Sequence, residues 1–158
     1  MIHNGKSTPT TSTPFFAPWA PIALRLMVGY GFIAHGYAKW SRGPAAFGSI
    51  LDAMSVPAPY LSAKLTILVE LVGGLAVMLG AFVRAASIPM TIVLITAMLK
   101  AHLPYGFSSI KLIVVTAAGA QVGPPGYEVD LLYIACLVAL VLGGSGPLAI
   151  DGFRKRTR

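Results

Sequence analysis

A histidine and a lysine stand four positions apart in the stretch HGYAKW, which ends a long apolar run. An ionisable side chain is expensive to place in such a run unless it has a partner or faces a polar cavity. An imidazole exchanges protons near neutral pH, and an ammonium group can bind an anion or a carbonyl oxygen. His35 and Lys39 are therefore the first candidates for the lining of a ligand pocket.

More ionisable residues interrupt the apolar sequence, at Arg25, Glu70, Lys100 and His102, and Glu128 precedes its last apolar block. If the blocks are membrane helices, charged side chains from three of them converge on the outer third of a bundle. The alternative is that the lysines extend to the outer lipid headgroups. The pocket candidates are Arg25, His35, Lys39, Glu70, His102 and Glu128. The set that converges on the outer third is His35, Lys39, Lys100, His102, Glu128 and Asp130.

The composition predicts the elements that position these residues. The chain has 158 residues, 56% hydrophobic and 11% charged, with a mean hydropathy of +0.76, which is too apolar for a soluble domain. Its apolar blocks have about the 20 residues that a helix needs to cross the hydrocarbon. We therefore predict an all-α membrane protein, a four-transmembrane-helix bundle with a longer outer loop between helices 3 and 4. The helices are expected at about 19–40, 61–80, 85–103 and 129–148.

The remaining segments differ in composition from these helices. Residues 1–18, rich in Thr, Ser and Pro, predict a flexible polar tail before a transmembrane domain over 19–151, and residues 152–158 predict a basic tail. The segment 41–60, rich in Pro and Gly, predicts a loop. The connection 104–129 leaves open a short strand pair, a surface helix and a re-entrant piece, because its β-branched core is about half the spanning length.

Charge predicts the orientation and the partners. The basic end of the chain, together with Arg84 in a short turn, places both termini in the cytoplasm by the positive-inside rule. The net charge of +7 is then explained by topology and by anionic headgroups of the lipid bilayer. No nucleic-acid partner is expected, because no basic patch is interleaved with aromatic residues.

Depth in the bilayer predicts one ion pair. At about 1.5 Å per residue, Arg25 and Glu70 lie at the most similar distances from the cytoplasmic edge, so Arg25 is the expected partner of Glu70. The pair is either a structural link between two helices or a protonatable group facing a ligand. Small residues on the same faces, Gly29 and Gly36 on helix 1 and Gly73 on helix 2, would let the backbones approach closely.

The sequence offers few ligands for a metal ion and few groups for redox chemistry. His35 and His102 are the only histidines near the predicted bundle, and no metal-binding spacing occurs, so no metal site is expected. A mixed site of these histidines with a carboxylate is the remaining alternative. Cys136 is the single cysteine and is expected to serve packing. No bound redox centre is evident, and the cofactor, if any, stays unknown.

The order and spacing of several stretches resemble the DoxX family of small bacterial four-helix membrane proteins. They are RLMVGYGFIAHGYAKW, VPAPYLSAKLTILVELVGGLAVMLG, GFSS, PPGYEVDLLY and GGSGPLAID, and the resemblance extends over roughly Pro21 to Asp151. The closing motif usually has a serine where this chain has Ala149. The matching residues are Arg25, Gly29, His35, Gly36, Lys39, Glu70, Gly73, Gly74, Glu128 and Asp151.

The resemblance implies a multi-pass protein of the bacterial inner membrane. Similar proteins are associated with membrane oxidoreductase complexes that handle thiols, sulfur compounds and quinones, so the chain is expected to be a subunit or accessory of such a complex. A quinone or a small oxyanion is the ligand that the resemblance suggests, and a redox enzyme or a second copy is the expected partner. The alternative is a non-enzymatic scaffold whose buried charges only hold the helices together, so activity of the chain alone is left open.

Overall fold

The computed structural model describes residues 16–152, which are helical except for the connections and one short hairpin. Most of the predicted tails 1–18 and 152–158 lies outside the described residues. The elements are, in chain order, a 3-10 turn Ala17–Trp19, α1 Ala20–Ser41, α2 Pro44–Ala53, α3 Pro59–Leu68, a π-helical turn Val69–Gly73, α4 Gly74–Leu79, α5 Val83–Ala97, a second π-helical turn Met98–His102, a 3-10 turn Leu103–Tyr105, β1 Leu112–Thr116, β2 Gly119–Val122 and α6 Glu128–Gly143.

Three continuous helical stretches of the described chain are long and apolar enough to cross a bilayer: Ala17–Ser41, Pro59–Leu79 and Val83–Tyr105. They correspond to the first three predicted helices. The second stretch joins α3, the first π-helical turn and α4, and it exposes an apolar side chain every three or four residues, as a lipid-facing stripe would. The stripe consists of Leu61, Leu65, Leu68, Val72, Leu75 and Leu79.

The fourth predicted helix is shorter than expected. It was placed at 129–148, but α6 has 16 residues and ends at Gly143. Gly144 and Gly146 follow with φ of 84° and 70°, a left-handed backbone that ends an α-helix. Sixteen residues rise about 24 Å, which is less than the hydrocarbon thickness of about 30 Å. A fourth membrane crossing therefore stays a prediction.

The end of the described chain is fastened to the turn before α5. The carboxylate of Asp151 accepts hydrogen bonds from the backbone N–H groups of Phe82 at 2.8 Å and Val83 at 3.1 Å. The N–H of Asp151 donates to the carbonyl of Gly80 at 2.9 Å. A carboxylate at a helix start satisfies donors that the helix leaves free and interacts favourably with its dipole. Asp151, expected to be structural, thus holds the chain after α6 against the start of α5.

One apolar core joins α1, α4, α5 and α6. Phe32 of α1 packs edge-to-face on Tyr133 of α6, with ring centroids 5.7 Å apart. Cys136 packs against the same cluster. Because α6 is tied into this core, its polar first turn is held against the other helices. The buried apolar residues of the cluster are Val28, Phe32, Val77, Val83, Met90, Leu94, Leu137 and Leu140.

Glycines bring α1 and α4 into backbone contact. A Cβ placed on Gly29 would lie 2.7 Å from the carbonyl oxygen of Gly74, and one on Gly74 would lie 2.8 Å from that of Gly29. Two turns further along the same face of α1, a Cβ on Gly36 would lie 2.9 Å from the Cβ of Glu70. The helices therefore run antiparallel in a fixed register. Gly73 faces Met90 of α5 instead: a Cβ placed on Gly73 would lie 3.1 Å from Cγ and Sδ of Met90.

The segment 41–60 is not the loop that its composition predicts, because α2 occupies its middle. Gly43, with φ of 95°, turns the chain after α1, and Pro44 starts α2 at a position where its missing N–H is not needed. The buried Gly48 packs on the ring of Tyr60 in α3, with a virtual Cβ 3.0 Å from Cε1. Flanking prolines and glycines hid this helix because it is only 10 residues long.

The connection 104–129 contains the strand pair, one of the three conformations left open. β1 and β2 form an antiparallel two-stranded sheet in which Val115 pairs with Ala120 and Val114 with Gln121. Ile113 has no partner in the register, so a bulge interrupts β1. Every residue of both strands is exposed.

We expect Gly74→Ala to lower the stability of the protein by about 1–3 kcal/mol, because its methyl group forces α1 and α4 apart. Gly143→Ala is the matched control, because no atom lies within 4 Å of the missing Cβ of Gly143. Gly143 is the last residue of α6, and alanine has a higher helix propensity than glycine. Melting temperatures in detergent measure the difference. Equal melting temperatures for the two variants would show that the glycine contact does not set the packing.

Candidate functional site

A cavity of about 660 Å³ lies among α1, α2, α3 and α5, with the first turn of α6 on one side. Most of its lining is apolar, and its ionisable residues are concentrated at one end of the bundle. Four predicted pocket residues line the cavity, whereas Arg25 and Glu128 do not. The ionisable lining residues are His35, Lys39, Glu70, Lys100, His102 and Asp130.

An ion pair between Lys39 and Glu70 links α1 to the first π-helical turn. The ammonium of Lys39 donates to Oε1 of Glu70, whose side chain is only 5% exposed, and also lies 5.3 Å from the ring centroid of Phe47. The other oxygen, Oε2, is buried and has no hydrogen-bond partner among the described residues. The carboxylate therefore has one oxygen held by a cation and one acceptor left unused.

The predicted pairing of Arg25 with Glu70 is wrong, and the register explains why. Gly36 of α1 lies opposite Glu70, whereas Arg25 lies opposite Met78 of α4. Met78 follows Glu70 by about two turns of the same continuous helical stretch. Depths counted separately from the two helix ends missed this offset. Helical side chains tilt towards the N-terminus of their helix, so Lys39, which follows Gly36, reaches back to the level of Glu70.

Arg25 binds backbone carbonyls at the opposite end of the bundle. Its guanidinium donates to the carbonyls of Ser145 at 2.8 Å, Pro147 at 3.1 Å and Met78 at 3.1 Å, with Leu148 at 3.4 Å. These carbonyls belong to the turn after α6 and to the end of α4, where a helix leaves acceptors unsatisfied. Buried Arg25 thus fastens the chain after α6 and is not part of the cavity.

A second polar pair, His102 with Asp130, also lines the cavity. Nδ1 of His102 lies 2.6 Å from Oδ2 of Asp130, and the Asp130 side chain is 7% exposed. A carboxylate bound to one ring nitrogen sets the tautomer and leaves the other nitrogen for a second partner. Sequence reasoning placed Asp130 in the converging set but did not identify this pair, although both residues were expected at the same depth.

Glu128 holds the loop before α6 and does not line the cavity. Its Oε2 accepts the backbone N–H of Ser109 at 3.0 Å, and the Ser109 hydroxyl accepts the N–H of Val129 at 3.2 Å. Glu128 is exposed and begins α6. The position expected for Glu128 at the pocket is taken by Asp130, because side chains two apart on a helix point to different sides.

His35 and Lys100 complete the polar end of the cavity. His35 lies close enough to Glu70 for an electrostatic interaction, and no hydrogen bond holds its imidazole within residues 16–152. Lys100 donates to the carbonyl of Ser55 at 3.4 Å, which ties the second π-helical turn to the segment after α2. His35 is thus the polar lining residue with the most freedom to bind a ligand.

The apolar wall of the cavity includes α2, which sequence reasoning missed. Phe47 and Leu51 of this helix line the cavity, and so does Met54, which directly follows it. Their spacing of four and three residues is that of one helical face, so the sequence contains a signal for it. The signal was overlooked because the flanking prolines and glycines favoured a loop.

Both π-helical turns carry ionisable cavity residues. Glu70 lies in the turn Val69–Gly73, and Lys100 and His102 lie in Met98–His102. Such turns contain one extra residue, occur as short pieces and are frequent at functional sites. Two π-helical turns in the lining of one cavity are a reason, independent of charge, to place the functional site here. Within residues 16–152, no three His, Cys, Asp or Glu side chains lie close enough to hold a metal ion.

We expect Lys39→Met to destabilise the protein by about 2 kcal/mol, less than the ~3–5 kcal/mol of a fully buried pair, because Lys39 is 26% exposed. The loss arises from the Glu70 carboxylate that remains without its cation. Adding Glu70→Gln should recover most of it. A double-mutant cycle of melting temperatures in detergent measures the coupling, with Arg25→Lys and Glu70→Gln as an additive control. Additive effects of Lys39→Met and Glu70→Gln would show that the two residues are not coupled.

Comparisons with known proteins agree with the membrane fold. An uncharacterized membrane protein of Mycobacterium tuberculosis is 29% identical over 96% of this chain and 92% of its own length. Two uncharacterized proteins of Haemophilus influenzae are 28% and 24% identical over 86% and 85% of this chain, and over 91% and 83% of their own lengths. No solved structure matches. The DoxX family profile matches residues 20–103, from the start of α1 through the second π-helical turn, and this chain therefore belongs to the DoxX family of membrane proteins.

Proposed function

We propose that this membrane protein binds a small, largely apolar ligand in the cavity and acts as a subunit or accessory of a membrane redox complex. The observation that carries the proposal is the convergence of the Lys39–Glu70 and His102–Asp130 pairs, each with one member in a π-helical turn, on one largely apolar cavity. About 660 Å³ falls within the ~300–1,000 Å³ typical of small-molecule pockets. Apolar walls with few, convergent polar groups are the usual design of such pockets.

The charge of the lining favours a neutral ligand over an anion. Lys39 is paired with Glu70 and His102 with Asp130, while Lys100, the other lysine of the lining, donates to the carbonyl of Ser55. Two carboxylates therefore lie in the lining beside its basic groups. An oxyanion would have to compete with these carboxylates, whereas a carbonyl can accept a hydrogen bond from the remaining ammonium protons of Lys39 or from His35. Of the two ligand classes expected from the family resemblance, the geometry supports a quinone-like molecule better.

The proposed role is to bind and position the ligand. Within residues 16–152 no cluster of His, Cys, Asp or Glu side chains could hold a metal ion, and Cys136 is the only cysteine of the chain. The contribution that we propose for this chain is a binding site with proton-exchanging groups. Electrons would come from a partner enzyme in the complex. The second candidate function, a scaffold, is favoured by one observation: Arg25 and Asp151 use their charges only to fasten backbone segments.

A quinone probe tests the cavity. We expect Ala97→Phe, which fills the cavity, to weaken the binding of decylubiquinone to the purified protein in nanodiscs at least tenfold. Ala97 lines the cavity, whereas Ala85 is exposed and does not line it, so Ala85→Phe is the matched control. His35→Gln should also weaken binding without changing the melting temperature, because it removes only the imidazole. Binding is measured by quenching of tryptophan fluorescence.

Three outcomes contradict the quinone proposal. Equal isotherms for the original protein and Ala97→Phe would place the probe outside the cavity. Equal losses in Ala97→Phe and Ala85→Phe would indicate partition into the lipid. Saturable binding of thiosulfate, with no effect of the quinone, would favour the oxyanion. If neither probe binds, the scaffold is the better function.

The proposed topology has four crossings, both termini in the cytoplasm, and the inner membrane of a bacterium as its location. We expect reporters fused before Met1 and after Arg158 to be active on the cytoplasmic side, and one inserted near Ala53 to be active outside. An enzymatic reporter that works in only one compartment makes the measurement. Termini on opposite sides would mean that α6 does not complete a fourth crossing, and an inverted pattern would reverse the orientation.

A further inference from the structure

The hairpin of β1 and β2 exposes apolar side chains on both of its faces. Leu112 and Val115 pair with Val122 and Ala120 and share one face, whereas Val114 pairs with Gln121 on the other. Val115 is 65% exposed and Val114 is 41% exposed. A hairpin in water normally keeps one face polar. The cavity and its ionisable residues have no part in this feature.

The sequence of the hairpin is also without charge. From Leu112 to Tyr127 there is no acidic or basic residue and no histidine. Exposed strands in soluble proteins usually carry charges that prevent association. The face of Leu112, Val115 and Val122 is apolar, and the face of Val114 also carries the uncharged polar side chains of Thr116 and Gln121, so neither face has a charge that would favour water.

We propose that this hairpin inserts into the headgroup and acyl-chain boundary of the bilayer that the helices cross. The boundary offers acyl chains to the apolar face and hydrogen-bonding headgroups to Thr116 and Gln121 on the other face, whereas a docked protein would cover one face and leave the other in water. A second copy adding a strand is disfavoured by the bulge at Ile113, which breaks the regular edge that such pairing needs. The exposed apolar stripe on α3 and α4 shows that another surface of this chain is already adapted to lipid.

Residues at the base of the hairpin fit a membrane interface. Phe107 and Tyr127 stack edge-to-face, with ring centroids 5.7 Å apart, and the ammonium of Lys111 lies 5.8 Å from the ring centroid of Tyr105. Aromatic rings and a flexible lysine are the side chains enriched at the boundary between water and lipid. They lie where the hairpin joins the helices.

The backbone limits the depth of insertion. Within residues 16–152 the sheet has only two strands, so each strand has an outer edge without a strand partner. Unsatisfied backbone groups are costly in hydrocarbon, but water and lipid esters can bind them near the headgroups. The hairpin therefore lies about 5–10 Å into the interface, as amphipathic segments do, and does not cross the bilayer.

Site-specific fluorescence in vesicles tests the insertion. In a Cys136→Ser background, Val114→Cys and Val115→Cys are labelled singly with an NBD fluorophore, and the full-length protein is reconstituted in phosphatidylcholine vesicles. Asp52→Cys is the control, because Asp52 is an exposed, charged residue of α2. We expect both hairpin labels to be quenched by nitroxide on the lipid chains and to show about threefold weaker quenching by iodide than the control.

The two labels report on opposite faces, so the pattern identifies what covers the hairpin. Strong iodide quenching at both positions would show that the hairpin is in water and would overturn the proposal. Protection from iodide at either position without quenching by the nitroxide lipids would indicate a protein contact on that face and would also overturn the proposal. Disulfide formation between copies carrying Val115→Cys would indicate a second copy. An unchanged melting temperature of each labelled protein excludes unfolding as the cause of any of these results.

Discussion

The contact of Gly29 with Gly74 sets the positions of the ionisable groups. Lipid provides no hydrophobic driving force between helices, so close packing of small residues determines how α1 and α4 meet. Once this crossing is fixed, Gly36 must lie opposite Glu70, and Lys39 is the cation within reach of it. A larger side chain at the crossing would move the ion pair as well as the helices. Packing and electrostatics therefore depend on one contact.

The buried charges of the protein fall into two groups with different physical roles. Arg25 and Asp151 bind backbone groups, and both fasten the segment that follows α6. Lys39 with Glu70, and His102 with Asp130, bind each other and face a cavity. The hydrogen bonds of the first group go to backbone atoms, and neither residue lines the cavity. Groups of the second kind keep donors and acceptors that a ligand can reach.

The sequence predicts local properties of this protein well and relative positions poorly. Three long helices followed from length and apolarity, and both charged stretches of the cavity were found as isolated candidates. The partner of Glu70 was predicted wrongly because the register depends on a contact between distant parts of the chain. The end of α6 was missed because Gly144 was counted within an apolar block. A longer search at helical spacing would have found the cavity face of α2, since Phe47, Leu51 and Met54 repeat as a helix requires.

The π-helical turns have a consequence for how this cavity can diversify among relatives. Each turn accommodates one more residue than an α-helix, so a deletion within the turn can be absorbed locally and leave the helix on either side in place. Such a deletion in Val69–Gly73 would replace Glu70 at the cavity by a neighbouring side chain, while Gly74 could keep its contact with α1. Changes in length at these two turns, and not only substitutions, are therefore a route by which one bundle can acquire different ligand chemistry.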